Sequence, residues 1–260
     1  FTKIGRNVLY IAVSYDAYGL HVISAPFVLH ADGEIEYITC DNENLRDVTI
    51  RRKYYESANV VEKRRRILGA KIQCAGKKDF SDAITVCTID TTVIADKMEI
   101  TAEHERRYWR YVSADGTYGS IAELAFFDSE QNELSGTPIA CEWADSIAIR
   151  NAFDKGLLTN FETTEPDGNW VGMDMHGAER VSHVRVVPRS DDNDVCPGNE
   201  YELRYWNGEK WLSAGRKVAD DNSLRYEDIP SGTLLWLSNH TRGWDERPFR
   251  IDSVGVVEWR

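Results

Sequence analysis

The chain has 260 residues, enough for two ordinary domains. With 42% hydrophobic and 28% charged residues it is globular in composition, which excludes a disordered chain. A formal net charge of −12 repels nucleic acid and anionic membranes, so neither is expected as a partner. No apolar run approaches the ~18 residues needed for membrane insertion. The chain starts at Phe1 without a signal peptide, which reads as a mature or excised piece of a longer polypeptide.

Turn signals recur at short intervals, among them Asp32-Gly33, Asp115-Gly116, Asp167-Gly168, Asn207-Gly208 and Ser231-Gly232. Short β-branched and aromatic runs lie between them, the rhythm of an all-β sandwich or barrel. Two basic runs, Arg51-Arg52-Lys53 and Lys63-Arg64-Arg65-Arg66, read either as an anion or RNA patch or, more simply, as solvated strand ends and loops. Val60 to Gly69 fits two or three helical turns, with Gly69 as the stop. Phe80–Cys87 closes one set of strands and Tyr108–Val112 opens another, which predicts a domain boundary near Asp96–Thr101. A short helix fits Ser146 to Phe153.

From Glu200 to Trp211 the pattern is a hairpin. Tyr201, Leu203 and Tyr205 share one face, Glu202 and Arg204 the other, and Asn207-Gly208 suits a type I′ turn. Leu234–Leu237 is apolar on both faces and reads as a central strand. The expected architecture is two tandem β-sandwich domains. The first, immunoglobulin-like or similar, spans residues 1–98; the second spans 99–260.

Catalytic signatures are absent: there is no GxSxG, Walker loop, GxGxxG or HExxH, and the six histidines never cluster. The cysteines, at 40, 74, 87, 141 and 196, show no CxxC spacing. Cys74 and Cys87 fall in one hairpin region and either pair or serve as small buried hydrophobes. Cys141 as a nucleophile lacks an evident His partner. Ser190–Asp194 reads as a hard-cation loop or a solvated acidic turn.

A second cation loop is better motivated. Asn151–Phe161 combines a carboxylate, a hydroxyl and free carbonyls, and Glu123 is a lone acid in the apolar run Ile121-Ala122-Glu123-Leu124. At Ala152-Phe153-Asp154-Lys155-Gly156, with Thr159 and Phe161, and again at Trp170–Gly177, the sequence resembles the galactose-binding-like (discoidin, coagulation factor C-type) β-sandwich, a jelly roll. Lys155 is inserted relative to that pattern, and Met175-His176-Gly177 stands where Leu-Gly is usual. The resemblance implies a structural Ca²⁺ held by Asp154, Thr159 and Glu123; otherwise Asp154 caps its own loop and Glu123 pairs with an Arg. Gly69–Gln73, Asp79–Ala83, Pro197–Leu203 and Thr241–Gly243 further resemble the tandem C-terminal region of exported proteins of polysaccharide-degrading gut bacteria. Such regions often follow a transglutaminase-like domain. The resemblance implies export, to the periplasm or outer-membrane surface of a Gram-negative cell, and an upstream domain in the same polypeptide.

Discoidin-type modules bind through loops at one end of the sandwich, and a sugar wants an exposed aromatic flanked by polar groups. Three segments have that composition: Trp143–Asp145, Asp167–Trp170 and His240–Arg247. Trp244 with Arg242, Asp245 and Arg247 forms the favoured ligand set, joined by Trp170 and Asn169; the competing arrangement packs Trp244 against the neighbouring domain and pairs Arg242 and Arg247 with Asp245 and Glu246. Trp206, Trp211 and Trp236 read as core. The expected function is a non-catalytic carbohydrate-binding region that recognises a glycan or glycoconjugate. The alternatives are a structural spacer positioning a catalytic domain, which would bury its aromatics, and a hydrolase, which would need two carboxylates or a Cys–His pair in a cleft.

Overall fold

A computed structural model describes residues 5–16, 19–22, 24–92, 98–100, 104–242, 246–252, 255 and 257–259. In chain order the strands are β1 (Val8–Tyr10), β2 (Val13–Asp16), β3 (Gly19–Val22), β4 (Phe27–Leu29), β5 (Ile35–Tyr37) and β6 (Asp41–Ile50). Helix α1 (Ala58–Arg65) follows, then β7 (Lys71–Ala75), β8 (Ile84–Thr88), β9 (Met98–Glu99), β10 (Arg106–Val112), β11 (Ile121–Phe127) and β12 (Thr137–Ala140). After α2 (Ser146–Asn151) come β13 (Trp170–Glu179), β14 (His183–Pro188), β15 (Glu200–Trp206), β16 (Trp211–Val218), β17 (Leu224–Ser231), β18 (Leu235–Asn239), β19 (Phe249–Ile251) and β20 (Val257–Trp259). The protein is all-β and β-sandwich-like.

The chain divides into two compact units, but not at residue 98. One unit is 1–55 together with 193–260; the other is the uninterrupted stretch 56–192. The expected boundary falls inside a sheet, because β10 pairs antiparallel with β7 from Tyr108↔Ala75 to Val112↔Lys71.

In the 56–192 unit, a five-stranded sheet ordered β12-β13-β10-β7-β8 faces a three-stranded sheet ordered β11-β14-β9. Alternation supplies the core: Ile72, Cys74, Trp109 and Tyr111 from the first sheet meet Leu124, Phe126, Val184 and Val186 from the second. β11 is buried along its whole length, Glu123 included. α1 starts at the N-cap Ser57, whose hydroxyl accepts from the Val60 N–H, and α2 at the N-cap Asp145. α1 starts two residues before the expected Val60 and ends at Arg65, short of the expected stop at Gly69, and α2 starts at the expected Ser146 and ends at Asn151, two residues early.

In the other unit, β6 pairs with β17, and their Val48, Ile50, Tyr226 and Ile229 pack on Tyr201, Leu203, Leu235, Leu237 and Phe249 of the sheet β16-β15-β18-β19-β20. β18 is central in that sheet, as its two apolar faces predict. The β15–β16 hairpin forms, with one correction. Trp206 pairs with Trp211, so the connection runs from Asn207 to Lys210 and is not a two-residue type I′ turn. Only Gly208 has positive φ (+99°), while the Asn207 side chain accepts from the N–H groups of Glu209 and Lys210.

Candidate functional site

Three loops meet at one end of the 56–192 unit: 113–120 after β10, 141–145 after β12, and 163–169 before β13. Asn169 ties them together. It is fully buried; its Oδ1 accepts from Trp143 Nε1 (2.8 Å) and Thr163 Oγ1 (2.6 Å), and its Nδ2 donates to the Glu165 carbonyl (2.6 Å). Its own carbonyl accepts from Ser113 N and Oγ. The Asp167 carboxylate takes the Gly116 N–H at 2.8 Å, and the Tyr118 carbonyl takes the Thr163 N–H.

Above this buried brace Trp143 is 43% exposed. A Cβ at Gly168 would sit 3.4 Å from the Trp143 ring, and Gly168 has φ of +71°, so glycine both makes the turn and leaves room for the indole. Tyr118 is also exposed on this end. The three loops carry Asp115, Glu142, Asp145, Glu165 and Asp167 and no Lys or Arg. An aromatic plane with its N–H fixed, rimmed by carboxylates, suits the C–H face and hydroxyls of a neutral sugar.

The expected ligand residues fall in two different units, Asn169 and Trp170 in the 56–192 unit. Asn169 has no exposed surface and acts as the brace. Trp170 is half-buried against Phe80 (5.3 Å between centroids), and the Arg110 guanidinium lies over Phe80 at 3.9 Å and over Trp170 at 5.1 Å. Trp244 and Asp245 lie outside the described residues. Arg242 belongs to the other unit, where its backbone N–H donates to Asn239 Oδ1, and Arg247 reaches the Tyr54 hydroxyl at 3.4 Å. Glu246 accepts from Trp236 Nε1 (2.8 Å) and Ser238 Oγ (3.1 Å). Trp206 is buried as expected, whereas Trp211 and Trp236 are only half-buried, 5.6 Å apart and edge to face.

The three residues of the expected cation loop do converge. Asp154 Oδ1 accepts from the Gly156 N–H (2.8 Å) and from Thr159 Oγ1 (2.9 Å), which also bonds the Gly156 carbonyl. Glu123 is 3% exposed and reaches the same loop. Burial, a hydrogen bond to Asp154 and the charge of Asp154 push its pKa up to about 8, against the pull of Arg185 and the Lys155 N–H. Its Oε1 is buried with no hydrogen-bond partner. Asp154 thus does cap its own loop, but the expected Glu–Arg pair is not made: Arg185 acts on Glu123 only through its charge, and its own Nε is unsatisfied. Two carboxylates, a hydroxyl and loop carbonyls form an oxygen-rich donor set of the kind hard cations take. The inserted Lys155 holds φ of +62°, the left-handed conformation a glycine would adopt more cheaply, and its ammonium pairs with Glu133 at 3.1 Å.

Three arginines of the basic runs are engaged in ion pairs. Arg52 bonds Asp194 at 2.7 Å, Arg64 pairs with Glu56 at 3.0 Å, and Arg66 lies 3.5 Å from Glu162. Asp194 is thereby accounted for, and Asp191 of the same acidic stretch lies 3.9 Å from Arg64. None of the five cysteines forms a disulfide; Cys74 lies in the core and is not paired with Cys87. Cys141 is buried and its thiol is pushed up by burial, the reverse of an activated nucleophile. Among the described residues no group of three or more His, Cys, Asp or Glu side chains is placed to hold a metal. No protein-family model, curated protein or solved structure matches the chain.

Sequence reasoning missed one further cluster. Glu202 is 7% exposed on the outer face of β15, where its Oε2 accepts from Arg204 (2.6 Å) and His240 Nε2 (3.0 Å) and lies 3.6 Å from Arg216 Nε. The alternation of Glu202 and Arg204 on one face was the available signal, but a polar outer face reads as solvated unless neighbouring strands are known to cover it.

Proposed function

We propose that this chain is a non-catalytic glycan-binding accessory region. The 56–192 unit acts as a galactose-binding-like jelly roll, and Trp143 is the platform on which a neutral sugar stacks. One observation carries the reading: an exposed indole whose N–H is locked onto a fully buried Asn169. Bracing lowers the entropy lost when a ligand stacks on the ring. The acidic, cation-free rim favours hydroxyl donors and disfavours sulfated or uronic sugars at this end.

A Ca²⁺ ion held by Glu123, Asp154, Thr159 and loop carbonyls fits the same unit. The orphaned Glu123 Oε1 and the carboxylate pair both call for a cation. The ion would neutralise the two carboxylates and fix the 152–161 loop; it takes no part in sugar chemistry. Export, placement on the surface or in the periplasm of a Gram-negative cell, and service to an upstream domain of the same polypeptide complete the reading, on the strength of the sequence resemblance. The spacer alternative draws on Trp170, which packs against Phe80 where an exposed ligand residue was expected.

The test is a glycan array with the whole chain, with and without calcium, repeated with Trp143→Ala. The expected result is binding to neutral glycans that Trp143→Ala abolishes while thermal unfolding is unchanged. A folded chain that binds no glycan, or a variant that binds as well as the parent, refutes the reading.

A further inference from the structure

The unit made of 1–55 and 193–260 contains a cavity of about 390 Å³ lined by Asn44, Arg46, Ser231, Gly232, Arg250 and Asp252. That volume is toward the lower end of the ~300–1,000 Å³ typical of small-molecule sites. Two of the seven lining residues, Ile251 being the seventh, carry guanidinium groups, in a chain whose net charge is −12.

Arg46 lies on β6 in register with Val48 and Ile50, both buried, so alternation aims it at the core side of the strand. A charge in that position is costly unless compensated. Its two terminal nitrogens donate to the carbonyls of Ile251 and Asp252, and its Nε is buried without an acceptor. No carboxylate forms an ion pair with it among the described residues. Arg250 is held in a similar manner, its Nε donating to the Gly232 carbonyl at 3.0 Å, and one terminal nitrogen pairs loosely with Glu36 at 4.0 Å. Backbone carbonyls orient both guanidinium groups; Glu36 meets part of the Arg250 charge, while Arg46 forms no ion pair among the described residues. The fold therefore brings two oriented guanidinium groups to one cavity, with the Arg46 charge not met by a carboxylate of the described residues.

We infer that this cavity binds the carboxylate of an acidic sugar, a uronate. The planar fork of arginine matches a carboxylate in bidentate geometry. Asn44 and Ser231 on the cavity wall offer the amide and hydroxyl that a sugar's own hydroxyls need. Asp252 adds one negative charge to the wall, which favours a monoanion over a dianion such as phosphate. The carboxylate rests on the arginines alone; the sugar part rests on the glycan-binding reading above. The site lies in a different unit from Trp143, so the two sites answer to different variants.

The experiment is calorimetric titration of the whole chain at low salt with methyl glucuronide and methyl galacturonide. Methyl galactoside, acetate and inorganic phosphate serve as comparison ligands. Arg250→Gln is the primary variant; Arg46→Gln is second, because Arg46 also ties β6 to the chain after β19 and its loss endangers folding. Thermal unfolding checks each variant. The expected result is uronide binding that weakens at least tenfold in Arg250→Gln, weakens with added salt and is unchanged in Trp143→Ala. Undetectable uronide binding by the folded parent, or equal binding by folded Arg250→Gln, overturns the site. Phosphate binding more tightly than the uronides overturns the carboxylate assignment, and acetate matching them overturns the sugar. Loss of neutral-glycan binding in Trp143→Ala with uronide binding intact separates this site from the platform.

Discussion

Glu123 and Glu202 are both buried, and their surroundings are opposite in sign. Glu123 faces another carboxylate, Asp154, with an oxygen left unpaired, and its pKa rises to about 8. Glu202 sits among Arg204, Arg216 and His240. Desolvation pushes its pKa up, but hydrogen bonds from Ser213 and His240 and the charges of Arg204 and Arg216 outweigh that and hold it below the usual value. Burial alone therefore does not mark a site; the sign of the neighbours does. The first glutamate is an acid held against a second acid, and the second is already the anion of a finished network.

The comparison is sharpest in its pH dependence. Glu123 has an ordinary value near 4.5 when unfolded and about 8 when folded. Between those values the folded form keeps a proton that the unfolded form has released. Without calcium, stability should therefore fall as pH rises through this window, by up to about 1.4 kcal/mol per pH unit, and level off above it. Calcium should remove the fall by taking the proton's place, and its affinity should climb over the same window. Urea unfolding at pH 5, 6.5 and 8, in EDTA or calcium, measures both; a flat profile in EDTA would mean that Glu123 ionises freely.

Glu123→Gln keeps the shape and removes the ionisation. In EDTA at pH 8 it should be more stable than the parent by about 2 kcal/mol, and it should lose the calcium response. A variant less stable than the parent under those conditions would place a cation-independent partner on Glu123. Glu202→Gln should do the reverse, costing about 1–3 kcal/mol at pH 7 through loss of charged hydrogen bonds. The stabilisation from Glu202 is present above its unfolded value near 4.5 and fades as pH falls through the lower folded value, so acid titration should hurt the parent more than the variant. The smallest effect is expected from Lys155→Gly, a gain of at most about 1 kcal/mol from relieving a left-handed lysine, partly offset by glycine's extra chain entropy. Differential scanning calorimetry on the two proteins is sensitive enough to see it.

The cation corner was legible in the sequence because its parts are either local or conspicuous. Asp154, Gly156 and Thr159 fall within one turn, and Glu123 interrupts an apolar run. The exposed Trp143 was half legible: the composition of Trp143–Asp145 marked it, but that of Asp167–Trp170 marked it equally. Which aromatic faces solvent depends on β7 and the Phe80 loop, whose contact with Trp170 no local pattern announces. Asn169 was misplaced for a related reason. An asparagine beside a tryptophan in a polar loop reads as exposed, and only the convergence of three loops buries it. The division at 98/99 failed because pairing between β7 and β10 leaves no mark in the intervening residues. The arginine cavity depends on β6, the β17–β18 turn and β19 coming together from distant parts of the chain.

The chain leaves the discontinuous unit and returns to it at adjoining points. The Lys53 N–H bonds the Asn193 carbonyl and the Val195 N–H bonds the Arg51 carbonyl, both at 2.8 Å, with Arg52 bridged to Asp194 between them. That seam sets an order of events during synthesis. β6 emerges early with hydrogen-bonding groups that only β17 will satisfy, and it must wait while the whole of 56–192 is made. The continuous unit can collapse from its own residues in the meantime, and in doing so it brings the two seam segments closer and shortens the effective loop that β6 and β17 must close. The enclosed unit is then a folding aid for the one that encloses it, whatever either of them binds.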